Sequence, residues 1–238
     1  MVGWLEGAVQ DVIQAHADVA TNLIKAGLSG IEVQMAHGHL LQQFMSPASN
    51  KRKDAYGGSE VNRLRFAKEA LRAVREAVGP EVVVGIRVSG DEFLPGGLTI
   101  DDMCRIVPDI VAAAQVDFVN ISHSAYHGSY TVSTQMADMS FPVDSFRSLT
   151  QRLRTVLRDV APSPVVMTVC QYRDIPDADS VLADRITDTV GIERATNADP
   201  EIGGKADRGD EARTPPCTRS NPARPWTTAP QPPGPCSV

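Results

Sequence analysis

Two histidines spaced two residues apart could carry acid–base chemistry in this chain. His37 and His39 follow residues 29–34, a short β-branched stretch that predicts a β-strand. An imidazole ordinarily titrates near neutral pH, so either side chain could donate or accept a proton under physiological conditions. Histidines at strand ends are also common as polar loop residues without chemistry, and spacing alone leaves both interpretations open.

Arg87 is the next residue whose position suggests chemistry. It lies near the end of residues 82–88, an otherwise apolar predicted strand, where an unpaired buried cation would be costly. Arg87 therefore needs an anionic partner. That partner is either an acidic side chain of the same fold, with Glu32, Asp91 and Glu92 as candidates, or a ligand that carries negative charge.

Alternating helices and strands must position these residues. Apolar residues recur three and four apart over residues 5–26, which predicts an amphipathic helix that ends at Gly27. The alternation of helix and short apolar strand then repeats, and near-continuous apolar strands are typical of a parallel sheet covered by helices. The predicted class is α/β, with strands at 29–34, 82–88, 116–121, 164–169 and 187–192 and helices at 5–26, 60–78, 100–114, 143–160 and 178–183.

Composition limits the function classes. The 238 residues carry a net charge of −6 without a basic patch, which argues against nucleic-acid binding. Apolar runs end well before the ~20 residues that a membrane span needs, and no secretory signal is legible, so we expect a cytoplasmic protein without membrane contact. The four cysteines form neither a disulfide framework nor a repeated metal-binding pattern, and we predict no metal site.

The chain is expected to divide into an ordered domain and a tail. From Pro215 onward there are eight prolines and no periodic apolar face. A segment of this composition cannot bury a core. We therefore predict a domain at residues 1–209 and a Pro-rich disordered tail at residues 210–238.

Two stretches of sequence resemble a known family. One runs from GIEVQMAHGHLLQQF at residues 30–44 through SP, NKRKD and YGGS to NRLRF at 62–66, and the other joins VGIRVS at 84–89 with DEF at 91–93 and GGL at 96–98. They are similar to the Old Yellow Enzyme family of FMN-dependent oxidoreductases, in the branch of 2,4-dienoyl-CoA reductase, trimethylamine dehydrogenase and N-methylproline demethylase. The resemblance implies a partial TIM (β/α)8 barrel of about five strands, corresponding to strands 4–8. It also implies FMN across the C-terminal strand ends, with NADH or NADPH as reductant.

The resemblance also implies roles for residues near the flavin ring. Gln34 and His37 match substrate-binding positions, although family members often carry His where this chain has Gln34. His39 matches a position that is often a proton-donating Tyr, so His37 and His39 are the catalytic candidates. Arg87 matches an Arg beside the N1 and C2 carbonyl edge of the flavin, where negative charge accumulates on reduction.

The phosphate end of FMN is expected at the loops after the last two strands. The resemblance makes Cys170, Gln171, Gly191 and Arg194 the cofactor-binding candidates there. Family members usually carry Gly where this chain has Cys170 and Glu193. A Cβ at either position could exclude a backbone conformation open only to Gly, and Glu193 would set a carboxylate beside the phosphate.

Two further sets of residues have open interpretations. Arg194 could bind phosphate or form a surface ion pair with Asp199 or Glu201. His123 and His127 follow the third strand and could contact substrate, but an exposed loop is the simpler interpretation.

An iron–sulfur cluster is not expected. The branch resembled here often carries a four-cysteine site after the barrel, and Cys217 stands where it would begin. Ser220 occupies the second ligand position, and only Cys236 follows. Two thiolates cannot hold a cluster that needs four.

Two functions remain as hypotheses. The first is an FMN-dependent oxidoreductase that transfers hydride between NAD(P)H-reduced flavin and a small conjugated carbonyl, or that oxidatively demethylates a methylated amine. The second is a catalytically inert barrel fragment, or a subunit completed by a partner, because the first three strands of the family's barrel have no counterpart here. Open strand edges would favour a homo-oligomer or a strand-completing partner.

Overall fold

The computed structural model describes residues 6–126, 129–215 and 217–219, which form a parallel sheet covered by helices on one face. The strands in these ranges are β1 (Gly30–Met35), β2 (Val83–Ser89), β3 (Phe118–Ser122), β4 (Val165–Val169) and β5 (Thr189–Gly191). The helices are α1 (Glu6–Lys25), α2 (Leu40–Met45), α3 (Glu60–Val78), α4 (Ile100–Ala114), α5 (Ser129–Gln135), α6 (Arg147–Leu157), α7 (Ile175–Ala183), α8 (Arg194–Ala198) and α9 (Ile202–Asp207), followed by a 3-10 helix at Glu211–Arg213.

The five strands are parallel, and each pairs with its neighbour along the chain in the order β1-β2-β3-β4-β5. Consecutive parallel strands joined by helices are the repeating unit of a TIM barrel. The predicted α/β class and the partial barrel are confirmed.

The two faces of the sheet differ in chemistry because strand side chains alternate. The face toward the helices is apolar, and Val33, Ile86 and Val119 belong to its buried core. The opposite, inner face carries a polar row. Strand register places Arg87 between Gln34 and Asn120 on that face.

Local sequence signals determine where helices α3 and α4 begin and where α3 ends. Helix α3 begins after Ser59, whose side chain accepts a hydrogen bond from the Asn62 backbone, and ends at Gly79, which adopts a φ of 82°. Helix α4 begins with a reciprocal capping box between Thr99 and Asp102. Both helices have the bounds that the sequence predicts. Within the described residues no helix is both long and apolar enough to cross a bilayer.

Other elements differ from the prediction. The sequence predicts no helix between the strand at 29–34 and the helix at 60–78, but this segment contains helix α2, which forms because Leu41 and Phe44 are almost fully buried against the core. The helix predicted at 143–160 is shorter and spans Arg147–Leu157. Residues just before it form turns instead, as in the hydrogen bond from the Ser145 backbone N–H to the Pro142 carbonyl.

Ordered packing continues beyond residue 209, the predicted end of the domain. The 3-10 helix at Glu211–Arg213 follows it, and Cys217 is 2% exposed in a small cluster with Ala195 and Ile202. An apolar contact of this kind holds the chain against the last helices. The rest of the predicted tail, including Ser220 and Cys236, lies outside the described residues.

Candidate active site

A cavity of about 600 Å³ lies at the carboxyl ends of the strands. The ends of the strands and the loops after β1, β3, β4 and β5 contribute to its wall, which is where TIM-barrel proteins build their active sites. The cavity is lined by His37, Arg87, Asn120, Ser122, Tyr126, Gln135, Met136, Met167, Val169, Cys170, Gln171, Tyr172, Gly191, Ile192, Glu193 and Arg194.

His37 is a buried, neutral imidazole in this wall. It is 7% exposed, and its Nε2 lies 2.7 Å from the Ser122 hydroxyl. Burial, followed by the nearby positive charge of Arg87, lowers the pKa of His37 to about 3. At neutral pH the ring can therefore hydrogen-bond a ligand but cannot deliver a proton as an imidazolium acid.

The backbone of His37 is strained and firmly held. Its φ is 61°, in the left-handed region that non-glycine residues rarely adopt. The His37 N–H donates to the Ser89 hydroxyl at 3.0 Å, and its carbonyl accepts from the Tyr126 N–H at 3.3 Å. These contacts tie the loop after β1 to β2 and to the loop after β3.

Gln34 and His39 lie at the edge of this site. His39 is exposed, and its ring centre is 5.7 Å from that of Tyr126 and 6.4 Å from that of His37. Gln34 is exposed beside Arg87, and its Oε1 accepts a hydrogen bond from the Ala36 N–H at 3.1 Å. In the described part of the chain, neither Gln34 nor His39 lines the cavity.

Arg87 has no salt bridge to any of the three acidic side chains considered above, as far as the described residues extend. Glu32 accepts a hydrogen bond from Asn120 at 2.8 Å. Asp91 accepts from two backbone N–H groups, and Glu92 is 1% exposed in a separate network. The side-chain alternative is therefore wrong, and Arg87 faces the cavity.

Four buried polar atoms in the cavity wall have no hydrogen-bond partner. They are Arg87 Nε, Asn120 Oδ1, Gln135 Oε1 and Gln171 Oε1. An unpaired buried polar atom costs roughly 1–3 kcal/mol, so the set indicates a polar ligand. One donor and three acceptors call for a ligand that presents an acceptor and several N–H or O–H donors, as FMN would with its ring carbonyls, its ring N–H and the hydroxyls of its ribityl chain.

The loop after β4 has an unusual backbone. Cys170 adopts a φ of 94° and Gln171 a φ of 69°, so the strain expected of a side chain at position 170 is present. Burial raises the pKa of the Cys170 thiol to about 11, which keeps it protonated. At Glu193 the φ is −119°, a conformation open to any residue, so the backbone there does not require glycine. The negative charge of the side chain is what differs from the usual glycine at this position.

Arg194 and Gly191 line the same end of the cavity. Arg194 donates a hydrogen bond to the Ala137 carbonyl at 2.9 Å. Asp199, one candidate for its ion pair, is instead paired with Lys205 at 2.6 Å.

Strand β3 supplies residues that the sequence did not single out. Asn120 and Ser122 line the cavity, and their alternation on β3 is the signal that could have revealed them. His123 is 1% exposed and stacks on Phe146 with 3.6 Å between ring centres, so the expected exposed loop is wrong there. His127 lies outside the described residues.

A cavity at the carboxyl ends of consecutive parallel strands defines a TIM-barrel ligand site. The chain belongs to the NADH:flavin oxidoreductase / NADH oxidase family, whose family model matches residues 6–212. The resemblance seen in the sequence is thereby confirmed.

Similar proteins are considerably longer than this chain. N,N-dimethylglycine/sarcosine dehydrogenase of Chromohalobacter salexigens is 38% identical over 216 residues, which cover 91% of this chain and 30% of that protein. NADH oxidase of Thermoanaerobacter brockii is 32% identical over 213 residues, covering 90% of this chain and 31% of that protein. The chain therefore spans about 30% of the length of these curated relatives.

Solved structures share the fold. Histamine dehydrogenase from Rhizobium sp. 4-9 superposes with a TM-score of 0.79 at 25% identity, over 92% of this chain and 30% of that chain. Morphinone reductase in complex with tetrahydroNAD has a TM-score of 0.66 at 22% identity, over 87% of this chain and 51% of that chain. These matches lend no support to the alternative of an inert fragment.

Proposed function

We propose that this chain contributes the flavin site of an FMN-dependent NAD(P)H oxidoreductase. The observation that carries the proposal is the set of four unpaired buried polar atoms that shares one cavity with the neutral His37. When bound, FMN would either accept hydride from NADH or NADPH and pass it to a conjugated carbonyl, or accept hydride from a methylated amine.

The residues of the chain divide between the two ends of the cofactor. Arg87 would face the ring edge that becomes negative on reduction, and its guanidinium would stabilise that charge. Cys170, Gln171, Gly191 and Arg194 would hold the phosphate end. Glu193 opposes binding there, because its carboxylate lines the same cavity.

His37 would orient the substrate. Ser122 engages Nε2 and so fixes the ring, and Nδ1 has no hydrogen-bond partner among the described residues. A neutral imidazole held in this way can hydrogen-bond the polar group of a substrate without competing for a proton. His39 would exchange the proton with solvent, and Gln34 would contact the substrate from the edge of the site.

The substrate class has two candidates. The 38% identity to a relative named for dimethylglycine and sarcosine favours a methylated amine, which would be demethylated after it gives hydride to the flavin. A small conjugated carbonyl is the other candidate, in which hydride adds to the carbon–carbon double bond and a proton follows.

The test is a titration of the purified chain with FMN. We expect quenching of flavin fluorescence, bleaching of the bound flavin by NADH or NADPH under anaerobic conditions, and a response to one substrate class. Cyclohexenone, as an oxidant, should restore the colour of the reduced flavin, whereas sarcosine, as a reductant, should bleach the oxidised flavin without NAD(P)H. Arg87→Gln should bind FMN at least tenfold more weakly. Failure of the wild-type chain to take up FMN would overturn the proposal.

We also propose that a second copy of this chain covers the open edge at β1. In the described chain β1 pairs only with β2, and an apolar groove beside it is lined by Val19, Leu23 and Ile31. Val19 is 57% exposed. Light scattering should show a species larger than the monomer; a stable monomer at micromolar concentration would contradict this.

A further inference from the structure

Glu92 is a buried carboxylate near the active site that the proposed chemistry does not use. It is 1% exposed and lies between β2 and α4. Its Oε2 accepts hydrogen bonds from the Ser46 hydroxyl and the Leu98 N–H, both at 2.7 Å. Its Oε1 accepts from Nε2 of Gln42, also at 2.7 Å. Burying a carboxylate is costly, and these three hydrogen bonds offset the cost for Glu92. They also fix the orientation of the groups that donate them, which an apolar residue could not do.

Gln42 connects this carboxylate to the loop of His37. Its side chain is 2% exposed, and its Oε1 accepts a hydrogen bond from the Gly38 N–H at 2.9 Å. The same oxygen lies 3.3 Å from the Ser89 hydroxyl, whose oxygen accepts the His37 N–H. Gln42 therefore contacts both groups that hold the left-handed turn at residues 37 and 38.

The carboxylate determines which way the Gln42 amide points. A carboxylate only accepts hydrogen bonds, so the NH₂ group of Gln42 must face Glu92 and its oxygen must face Gly38. If the amide were reversed, the NH₂ group of Gln42 would face the Gly38 N–H. Two donors cannot hydrogen-bond each other, so the turn would lose its support. His37 and Gly38 have φ values of 61° and 71°, so this turn depends on such support.

We propose that Glu92, acting through Gln42, is a positioning residue that keeps His37 in the left-handed conformation that directs its ring into the cavity. The proposal rests on the proposed function only where substrate kinetics are concerned. The geometry of the turn exists without any ligand, and it can be measured in the free chain.

The first measurement is amide hydrogen exchange at Gly38 in the flavin-free chain. Gln42→Met keeps the size of the side chain but removes its hydrogen bonds to Gly38 and Glu92. It should accelerate exchange at the Gly38 amide at least tenfold. Glu92→Gln still offers an oxygen to Gln42, so its acceleration should be smaller than that of Gln42→Met. Ser46→Ala is the matched control, because it removes a hydrogen bond from the other oxygen of Glu92. It should change exchange at Gly38 less than threefold.

The second measurement separates positioning from general stability. In the FMN-loaded chain, Gln42→Met should raise the KM for cyclohexenone or sarcosine, whichever the wild-type chain uses, about tenfold. It should change the rate of flavin reduction by NADH less than twofold. In a His37→Ala background the same substitution should change KM less than twofold, because its effect passes through His37.

The outcomes are distinguishable. Unchanged exchange at Gly38 in Gln42→Met or in Glu92→Gln, equal acceleration in Ser46→Ala, or additive KM effects with His37→Ala would each overturn the inference. A wild-type chain that binds no FMN would overturn the proposed function, and the exchange measurement would still decide the role of Glu92.

Discussion

Replacing His37 with Asn should remove a large part of the loss of stability that the chain suffers in mild acid. The pKa of His37 is lowered to about 3 in the fold, by burial first and by Arg87 second, from an ordinary value of 6.5. Below pH 6.5 the unfolded chain takes up a proton at this residue and the folded chain does not. Acid therefore favours unfolding, and stability falls as the pH drops from 6.5 toward 3.

The magnitude follows from the width of that interval. Between pH 6.5, where the unfolded His37 is half protonated, and about pH 4.8, proton uptake by the unfolded state costs the fold about 1.9 kcal/mol, at ~1.36 kcal/mol per pH unit for a full proton. Burial also lowers the pKa of His123, to about 4, and its contribution over this interval is similar. Most carboxylates of the unfolded chain stay ionised here, so the two histidines dominate the change.

The assay is urea unfolding at pH 6.5 and pH 4.8. Asn tolerates a left-handed backbone better than other non-glycine residues, so His37→Asn keeps the conformation at φ 61° while removing the titration. We expect this variant to lose about half of the wild-type dependence on pH. The exposed His39, replaced with Asn, is the control and should behave like wild type. If His37→Asn retained the full dependence, the assignment of a neutral His37 would be refuted.

Three other substitutions test the geometry. Cys170→Gly relieves a φ of 94° and should raise the free energy of unfolding by about 0.5–1 kcal/mol in urea melts; a decrease would show that the thiol's packing outweighs the strain. Gly85→Ala places a Cβ 2.1 Å from the Phe118 ring and should cost about 2–3 kcal/mol, most of it recovered by adding Phe118→Ala. Arg87→Gln removes a charge that lowers the pKa of His37, so an NMR titration should find that pKa higher than in wild type; an unchanged value would mean that burial alone sets it.

Local sequence signals predicted the elements that depend on them. Helices α3 and α4 have the expected bounds because Ser59 and Thr99 cap them from adjacent positions. Helix α2 was missed because it depends on the burial of Phe44 in a core that is assembled from distant elements. A six-residue helix has no periodicity long enough to detect.

The sequence predicted several residues of the site, but it did not predict which groups those residues contact. The end of a parallel strand places His37 at the catalytic edge, and the apolar strand around Arg87 predicts that it needs a partner. The Ser122 hydroxyl that fixes His37 is 85 residues away, so only the fold brings them together. The choice between a salt bridge and a ligand for Arg87 likewise depended on where three carboxylates point.

The amino ends of the strands show what the fold does where no ligand is bound. Asp117 accepts the backbone N–H of Val84 at 2.8 Å and pairs with Arg75 at 2.7 Å. Asp188 accepts the N–H of Val166 at 2.9 Å and pairs with an arginine in the same way. At this end of the sheet, each of these carboxylates binds both an arginine and a strand N–H.

The carboxyl ends are organised in the opposite way. Non-glycine residues in the loops there adopt left-handed conformations, with φ values of 61° at His37, 72° at Ser124, 94° at Cys170 and 69° at Gln171. At the amino ends Gln115 and Arg185 also have positive φ values, but each lies where a helix ends, a position at which such a conformation is common. Each such residue costs roughly 1–2 kcal/mol, and the unpaired atoms of the cavity wall add a second, independent cost at the same end. The two costs arise from different physics, the backbone sterics of four residues and the desolvation of four polar atoms. Their coincidence at one end of one sheet is explained if a polar ligand binds there and forms the missing hydrogen bonds.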